Sequence, residues 1–463
     1  MDQGCDKGKG KSKYPEEDMY SKNSNKIIGS MMVFCSIVFL LTVDARALVL
    51  TGYFPVQQGR FWNFSSPSET LLSTWAINGT FTERNVGNVF ILQQDACRFF
   101  TMREEWGGLY LYGEYTPNKY LIPDKPILFL PREIDPDKPV QIDVLMKVFS
   151  MPEGKGDFRE TGRVKRTVTI SLKSIEDMTI DNQELMNCAI IERRTKGDAT
   201  VVVETLWLAP TIGPVKRVVK QDSSEQIYNL TSYADTKIHP VKQFATKDYF
   251  PLTSGITLPY KNHNGTADSI EIKKQEKIDQ WLTTPYVFNI PESASPSDTF
   301  YYAFTPDGLV LPQIFRSAMK SFTAFLPPQA PVTVLPNTLK IGSFYSSTSY
   351  PRICKYPSRT PNFDFTTEMQ FSSIPVGVED VTVPAGEFKG CIKICLFNIS
   401  RAFEFKMERI RIGYQWLAKG KGIVKLQQVE FGNFFLPEKI NEISSVQFWE
   451  LTTKTSPITL SKK

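Results

Sequence analysis

The strongest constraint on how this chain can fold is that it repeats itself. Three pairs of segments match in the same order. Tyr53-Phe54-Pro55 to Gly59 matches Tyr249-Phe250-Pro251 to Gly255, both reading YFPxxxG. Asp177 to Cys188 matches Asp380 to Cys391, with Asp, Thr, Glu and Cys at identical spacing. Trp207-Leu208-Ala209 to Lys216 matches Trp416-Leu417-Ala418 to Lys425, both reading WLAxxxGxVK. The offsets are 196, 203 and 209 residues, so the copies differ by a few insertions between landmarks. A chain of 463 residues is long enough for two such domains. The repeat places them at 48–220 and 247–463, joined by a polar linker over 221–246.

Each copy reads as strand rather than helix. Val168, Ile170 and Leu172 alternate with Thr169, Ser171 and Lys173, as expected where one face of a sheet is buried. Aromatic residues make up 12 % of the chain and there are 31 prolines, which suits bulky strands separated by many turns. The expected class is mostly β: two tandem antiparallel domains, each a curled sheet or partly closed barrel. In Val383-Pro384-Ala385-Gly386-Glu387, proline and glycine supply the backbone angles of a tight turn. Ile180-Asp181-Asn182-Gln183-Glu184 does the same in the first copy. Phe403, Phe405 and Met407 are out of phase with Ile410, Ile412, Tyr414 and Trp416, which predicts a β-bulge near Glu408-Arg409. Short helices are expected at 272–282 and 313–322, and a closing strand at 445–452.

The N-terminus carries an export signal. An apolar run from Ile27 to Val43 precedes Ala45-Arg46-Ala47, a small-x-small pattern that predicts cleavage after Ala47 and a mature protein in the periplasm or outside the cell. The alternative is anchoring to the inner membrane by the same 17-residue run, which is at the short limit for a span. Five cysteines follow that point: Cys97, Cys188, Cys354, Cys391 and Cys395. Cys391 and Cys395 lie four steps apart in one expected strand, about 13 Å, too far for a disulfide.

The second copy's VPAGEFKGC and YQWLAKGKGIVK, with the opening YFPLTSG, resemble a family of bacterial exported domains of unknown function. The resemblance covers most of residues 249–430 and, more weakly, 53–217. It implies an antiparallel β architecture and a cell-envelope setting, and it implies no reaction. The first copy departs from the pattern at the Pro-Ala-Gly turn and at Thr211 and Pro214.

No constellation for catalysis stands out. Histidine is the usual general base near neutral pH, and the chain has only His239 and His263, one in the linker and one in a polar stretch. No metal-ligand spacing, cofactor motif or phosphate loop appears in the mature part. A net charge of +5 with basic and acidic residues interspersed argues against nucleic acid. Asp177, Glu184, Asp380 and Glu387 recur in both copies and could serve a carboxylate-dependent hydrolase of envelope glycans. Their places beside tight turns favour a structural role. The candidate ligand-binding residues are aromatic: Trp106, Tyr110 and Tyr112, expected on one face of a strand, and Trp207 and Trp416 at matched strand ends. The expectation is a non-catalytic envelope protein that binds an apolar or polymeric ligand, such as a lipid or glycan, or an envelope protein partner.

Overall fold

The structure is a computed structural model. It describes residues 47–67, 72–83, 87–94, 98–116, 119–150, 159–180, 182–197, 200–234, 242–263, 265–291, 297–315, 322–325, 331–355, 367–402, 407–433 and 442–453. The apolar run at 27–43, His239, Cys97 and Asp181 lie outside them. Residues 48–463 form one compact unit. Among the described residues no helix is long and apolar enough to cross a membrane.

The protein is two antiparallel β-barrels. In the first, twelve strands run from Phe61–Ser65 to Ser224–Tyr233, each bonded to its neighbours in sequence apart from one excursion. The last strand closes on the first, with Leu230 opposite Phe64 and Tyr233 opposite Trp62. The excursion, Ile127–Pro131 and Glu133–Ile134, leaves the ring to pair with Gly108–Thr116 and with Leu48–Val49. Residues 224–233, read from their polarity as linker, are therefore the closing strand. Tyr228 and Leu230 are buried there while most of the polar residues around them face outward.

The second barrel repeats this plan from Ile256–Asn262 to Glu442–Leu451, which closes the ring with Leu451 opposite Tyr260. One strand differs. Val140–Ser150 in the first barrel bonds to both of its neighbours. Its counterpart is split: Tyr345–Ser349 pairs with Thr367–Val383, and Arg352–Lys355 pairs with Phe322–Phe325. Pro351 lies at the break, where a missing N–H and a fixed φ interrupt the ladder. The second barrel is nearly, rather than fully, closed.

Three local expectations need correction. Residues 272–282 form the end of Ala267–Ile272, a short strand Glu276–Ile278 and the start of Trp281–Asn289, with no helix among them. Gln313 to Phe315 end a strand, and Phe322 begins another. The ladder is in register through Glu408 and Arg409, so no bulge lies there. Of the residues that carried that expectation, Phe403 and Phe405 lie outside the described residues, and Met407 belongs to the same strand as Ile410.

Most of the core inside each barrel is apolar. Val168, Ile170 and Leu172 point into it, while Thr169, Ser171 and Lys173 are half-buried or exposed on the other face. The two barrels pack side by side through outer faces that are also apolar. Val89, Ile91, Phe99, Tyr115 and Tyr120 share one cluster with Phe397, Ile399, Ile410, Ile412 and Val429. Polar bonds cross the same seam: Lys393 Nζ donates to Thr74 Oγ1 at 3.0 Å and the Cys395 thiol to Asn78 Oδ1 at 2.9 Å.

Candidate functional site

The repeated motifs come together at one end of each barrel, where they build a plug. In the first copy Thr211, in the WLA hairpin turn, donates its N–H to the carbonyl of Gly52, just before the YFP segment, at 2.8 Å. In the second copy Gly420 donates to Asp248 at 2.7 Å. Phe54 and Phe250 enter the two cores behind these contacts. The Tyr53 hydroxyl donates to the Asn187 carbonyl at 2.9 Å, tying the plug to the Asp-to-Cys motif.

That motif is a matched pair of bulges. The ladder slips between Glu176 and Met178 in one copy and between Glu379 and Val381 in the other, leaving Asp177 and Asp380 unpaired in the sheet. Each carboxylate accepts the backbone N–H ten residues on, from Asn187 at 2.7 Å and Gly390 at 2.8 Å. Both of those residues have a left-handed backbone, φ 56° and 63°. Asp380 also pairs with Lys389, and the Gly390 bond followed by that pairing lowers its pKa. Glu184 and Glu387 are exposed beside the turn. A carboxyl held ionised by a backbone bond is poorly suited to act as a general acid.

The five aromatic candidates do not form one site. Trp106 is in the turn before the strand Gly108–Thr116, not on its face, because the chain reverses at Trp106-Gly107. It is 86 % exposed and stacks with the Arg132 guanidinium 4.7 Å from the ring centroid. Tyr110 and Tyr112 are half-buried on that strand, and the Tyr112 hydroxyl donates to Glu105. Trp207 is half-buried under Lys216, while Trp416 is buried, stacks with Lys393 and Lys425, and donates to Glu379. The two tryptophans at matched strand ends thus serve the barrel walls.

Trp106 is different, because its partner Arg132 and Tyr112's partner Glu105 both line a cleft of about 180 Å³ beside the first plug. Glu104, Glu105 and Arg132 face Leu50, Phe54 and Leu130 across it. The corresponding corner of the second copy is bonded differently. Asn337, at the position of Arg132, donates its side-chain amide to the carbonyls of Thr305 and Pro306, and Pro306 stands where Trp106 does.

The barrel interiors also differ. The second holds a cavity of about 90 Å³ whose lining includes Phe288, Phe300, Tyr302, Leu396, Leu426 and Arg411. Arg411 there pairs with Glu430, and ion pairs on other strands cross the first barrel. Glu114 accepts from Arg98 and Arg166, each at 2.9 Å, and Glu204 accepts from Arg217 at 2.7 Å. Burial pushes the Glu114 carboxyl up, but the two guanidiniums outweigh it and hold its pKa at about 2. His263 binds Asn262 at 2.8 Å and packs edge-on against Phe448, and burial lowers its pKa. Among the described residues no group of three or more metal-ligating side chains comes together.

No family model and no curated protein matches this chain. Two solved structures are similar in part. One is a candidate lipoprotein from Parabacteroides distasonis, 14 % identical, covering 44 % of this chain and 97 % of its own, with a TM-score of 0.19. The other is a candidate exported protein with YmcC-like fold from Bacteroides fragilis, 13 % identical, covering 45 % of this chain and 99 % of its own, with a TM-score of 0.18. Likeness at this level transfers neither activity nor location to this chain.

Proposed function

We propose that this chain is a non-catalytic protein of the cell envelope that binds a polymeric glycan at the cleft beside Trp106. The observation that carries the reading is an indole left 86 % exposed where, among the described residues, Tyr350 is the other exposed large aromatic. A wide, rigid ring costs little conformational entropy to order against a sugar face. Glu104, Glu105 and Arg132 in the adjoining cleft supply acceptors and a donor fork for hydroxyl groups. The 180 Å³ of the cleft admits one ring of a chain rather than a whole lipid, which favours a polymer over a carried apolar molecule. The envelope setting rests on the apolar segment at 27–43 and the Ala45-Arg46-Ala47 pattern.

Titration of the mature chain with soluble peptidoglycan fragments, followed by tryptophan fluorescence, tests this. Binding should weaken at least tenfold in Trp106→Ala with little change in Tm. Equal binding by that variant, or none by the parent, would sink the proposal. Release of shorter fragments on prolonged incubation would point to a hydrolase instead.

A further inference from the structure

The ion pairs inside the first barrel leave one guanidinium outside any direct pair. Arg98 and Arg166 share Glu114, and Arg217 takes Glu204. Arg193 stands opposite Glu204 in the ladder, yet its Nε is buried without a hydrogen-bond partner. The guanidinium lies over the face of Phe129, 5.0 Å from the ring centroid, with Glu204 and Glu114 acting on it only through the field. Phe129 in turn packs edge-on against Phe54 of the plug at 5.7 Å, so a closed aromatic floor lies beneath the guanidinium. Among these six charged groups, four are cationic and two anionic.

The second barrel arranges its interior differently: Asp298 stands where the first has Arg98, Arg411 pairs with Glu430 on other strands, and the remaining matched positions carry no charge. Arg193 and Glu204 pair across the ladder as Leu396 and Gly413 do. Arg217, opposite Leu206, corresponds to Leu426 opposite Gln415. Arg166 corresponds to Met369, and Glu114, opposite Phe100, to Ile314 opposite Phe300. Burying charge is costly unless it is paired, and this group keeps two more guanidiniums than carboxylates, so an anion beside it is favoured.

We infer that the interior of the first barrel, above Phe129, binds an oxyanion of a small ligand, a carboxylate or a phosphate, with Arg193 as its principal partner. The planar fork of a guanidinium offers two parallel donors to either group, and the excess of cationic groups sets the sign of the ligand. The site is separate from the Trp106 cleft and does not depend on it.

The test uses the whole mature chain and two probes, inorganic phosphate and succinate, each titrated at constant ionic strength against chloride and read by thermal unfolding. A saturable rise in Tm of several degrees is expected with at least one probe. Response to phosphate alone assigns a phosphate-bearing ligand, and response to succinate alone assigns a carboxylate. Arg193→Leu, which installs the second barrel's residue, should weaken that probe at least tenfold. Arg193→Gln, which keeps most of the volume, should do the same and covers the case in which the leucine variant does not fold. No response to either probe up to tens of millimolar, or an undiminished response in a folded variant, would overturn the inference.

Discussion

Trp416 and Lys425, the first and last residues of the WLAxxxGxVK motif, stand opposite each other in the ladder with the ammonium 5.4 Å from the indole centroid. Trp207 and Lys216 do the same at 4.6 Å in the first barrel. A motif that looks linear in sequence is thus a hairpin folded onto itself, and its end residues recur together because they touch. The two tryptophans are not equally buried. Trp416→Ala should cost about 3–5 kcal/mol, the range for deleting a buried aromatic. Trp207→Ala should cost roughly 1–2 kcal/mol, since a half-buried ring over a lysine has less to lose. Urea unfolding of the two variants checks the order.

Glu114 gives the first barrel an acid-sensitive element. Its folded pKa, about 2, lies below the ordinary value of 4.5. Its stabilisation is therefore full above about pH 4.5 and is lost as pH falls towards 2, an effect of roughly 3 kcal/mol. Stability measured between pH 6 and pH 3 should fall, and Glu114→Gln should flatten that part of the profile while lowering stability at pH 7.

Gly108 and Gly308 open equivalent strands with φ 139° and 143°. A Cβ would sit 2.3 Å from the Leu130 carbonyl oxygen in one and 2.2 Å from that of Leu335 in the other. The obstacle is backbone, which cannot step aside. Alanine at either position should destabilise by at least about 2 kcal/mol. Gly255→Ala, with open space around it, should cost only about 1 kcal/mol. Thermal unfolding distinguishes the two cases.

Cys188, Cys391 and Cys395 are buried free thiols. Burial is the main cause that raises the pKa of Cys391 and Cys395 to about 12. Thiolates are the reactive form, so iodoacetamide should leave all three unmodified in the native protein and label them in urea. Peptide mass spectrometry reads the result, and rapid native labelling at Cys395 would contradict the seam between the barrels.

Much of the architecture was legible in the residues because duplication and strand period are local signals. The three matched segments separated the two barrels, and the alternation at Val168, Ile170 and Leu172 identified a buried sheet face. The four-residue spacing of Cys391 and Cys395 ruled out a disulfide through strand geometry alone. The misreadings have a common cause, since polarity and phase report which way a side chain faces and not where a strand ends. Residues 224–233 look like linker because one side of a closing strand faces water.

The candidate sites were less legible. Trp106 was picked out as an aromatic, but its exposure depends on the Gly107 turn and on Arg132, brought alongside from 26 residues further on. Arg193 carried no sequence signal, since an arginine in an alternating strand reads as a solvated face. Only closure of the twelve-strand ring places Arg193, Glu204, Glu114 and Arg166 in one interior, because their strands are far apart in sequence. The sequence by itself determined the class, the duplication and the chemistry of the turns, all of which rest on neighbours along the chain. Which faces became interior, where charge was kept inside, and which tryptophan stayed in water were decided by ring closure and by the packing of one barrel on the other.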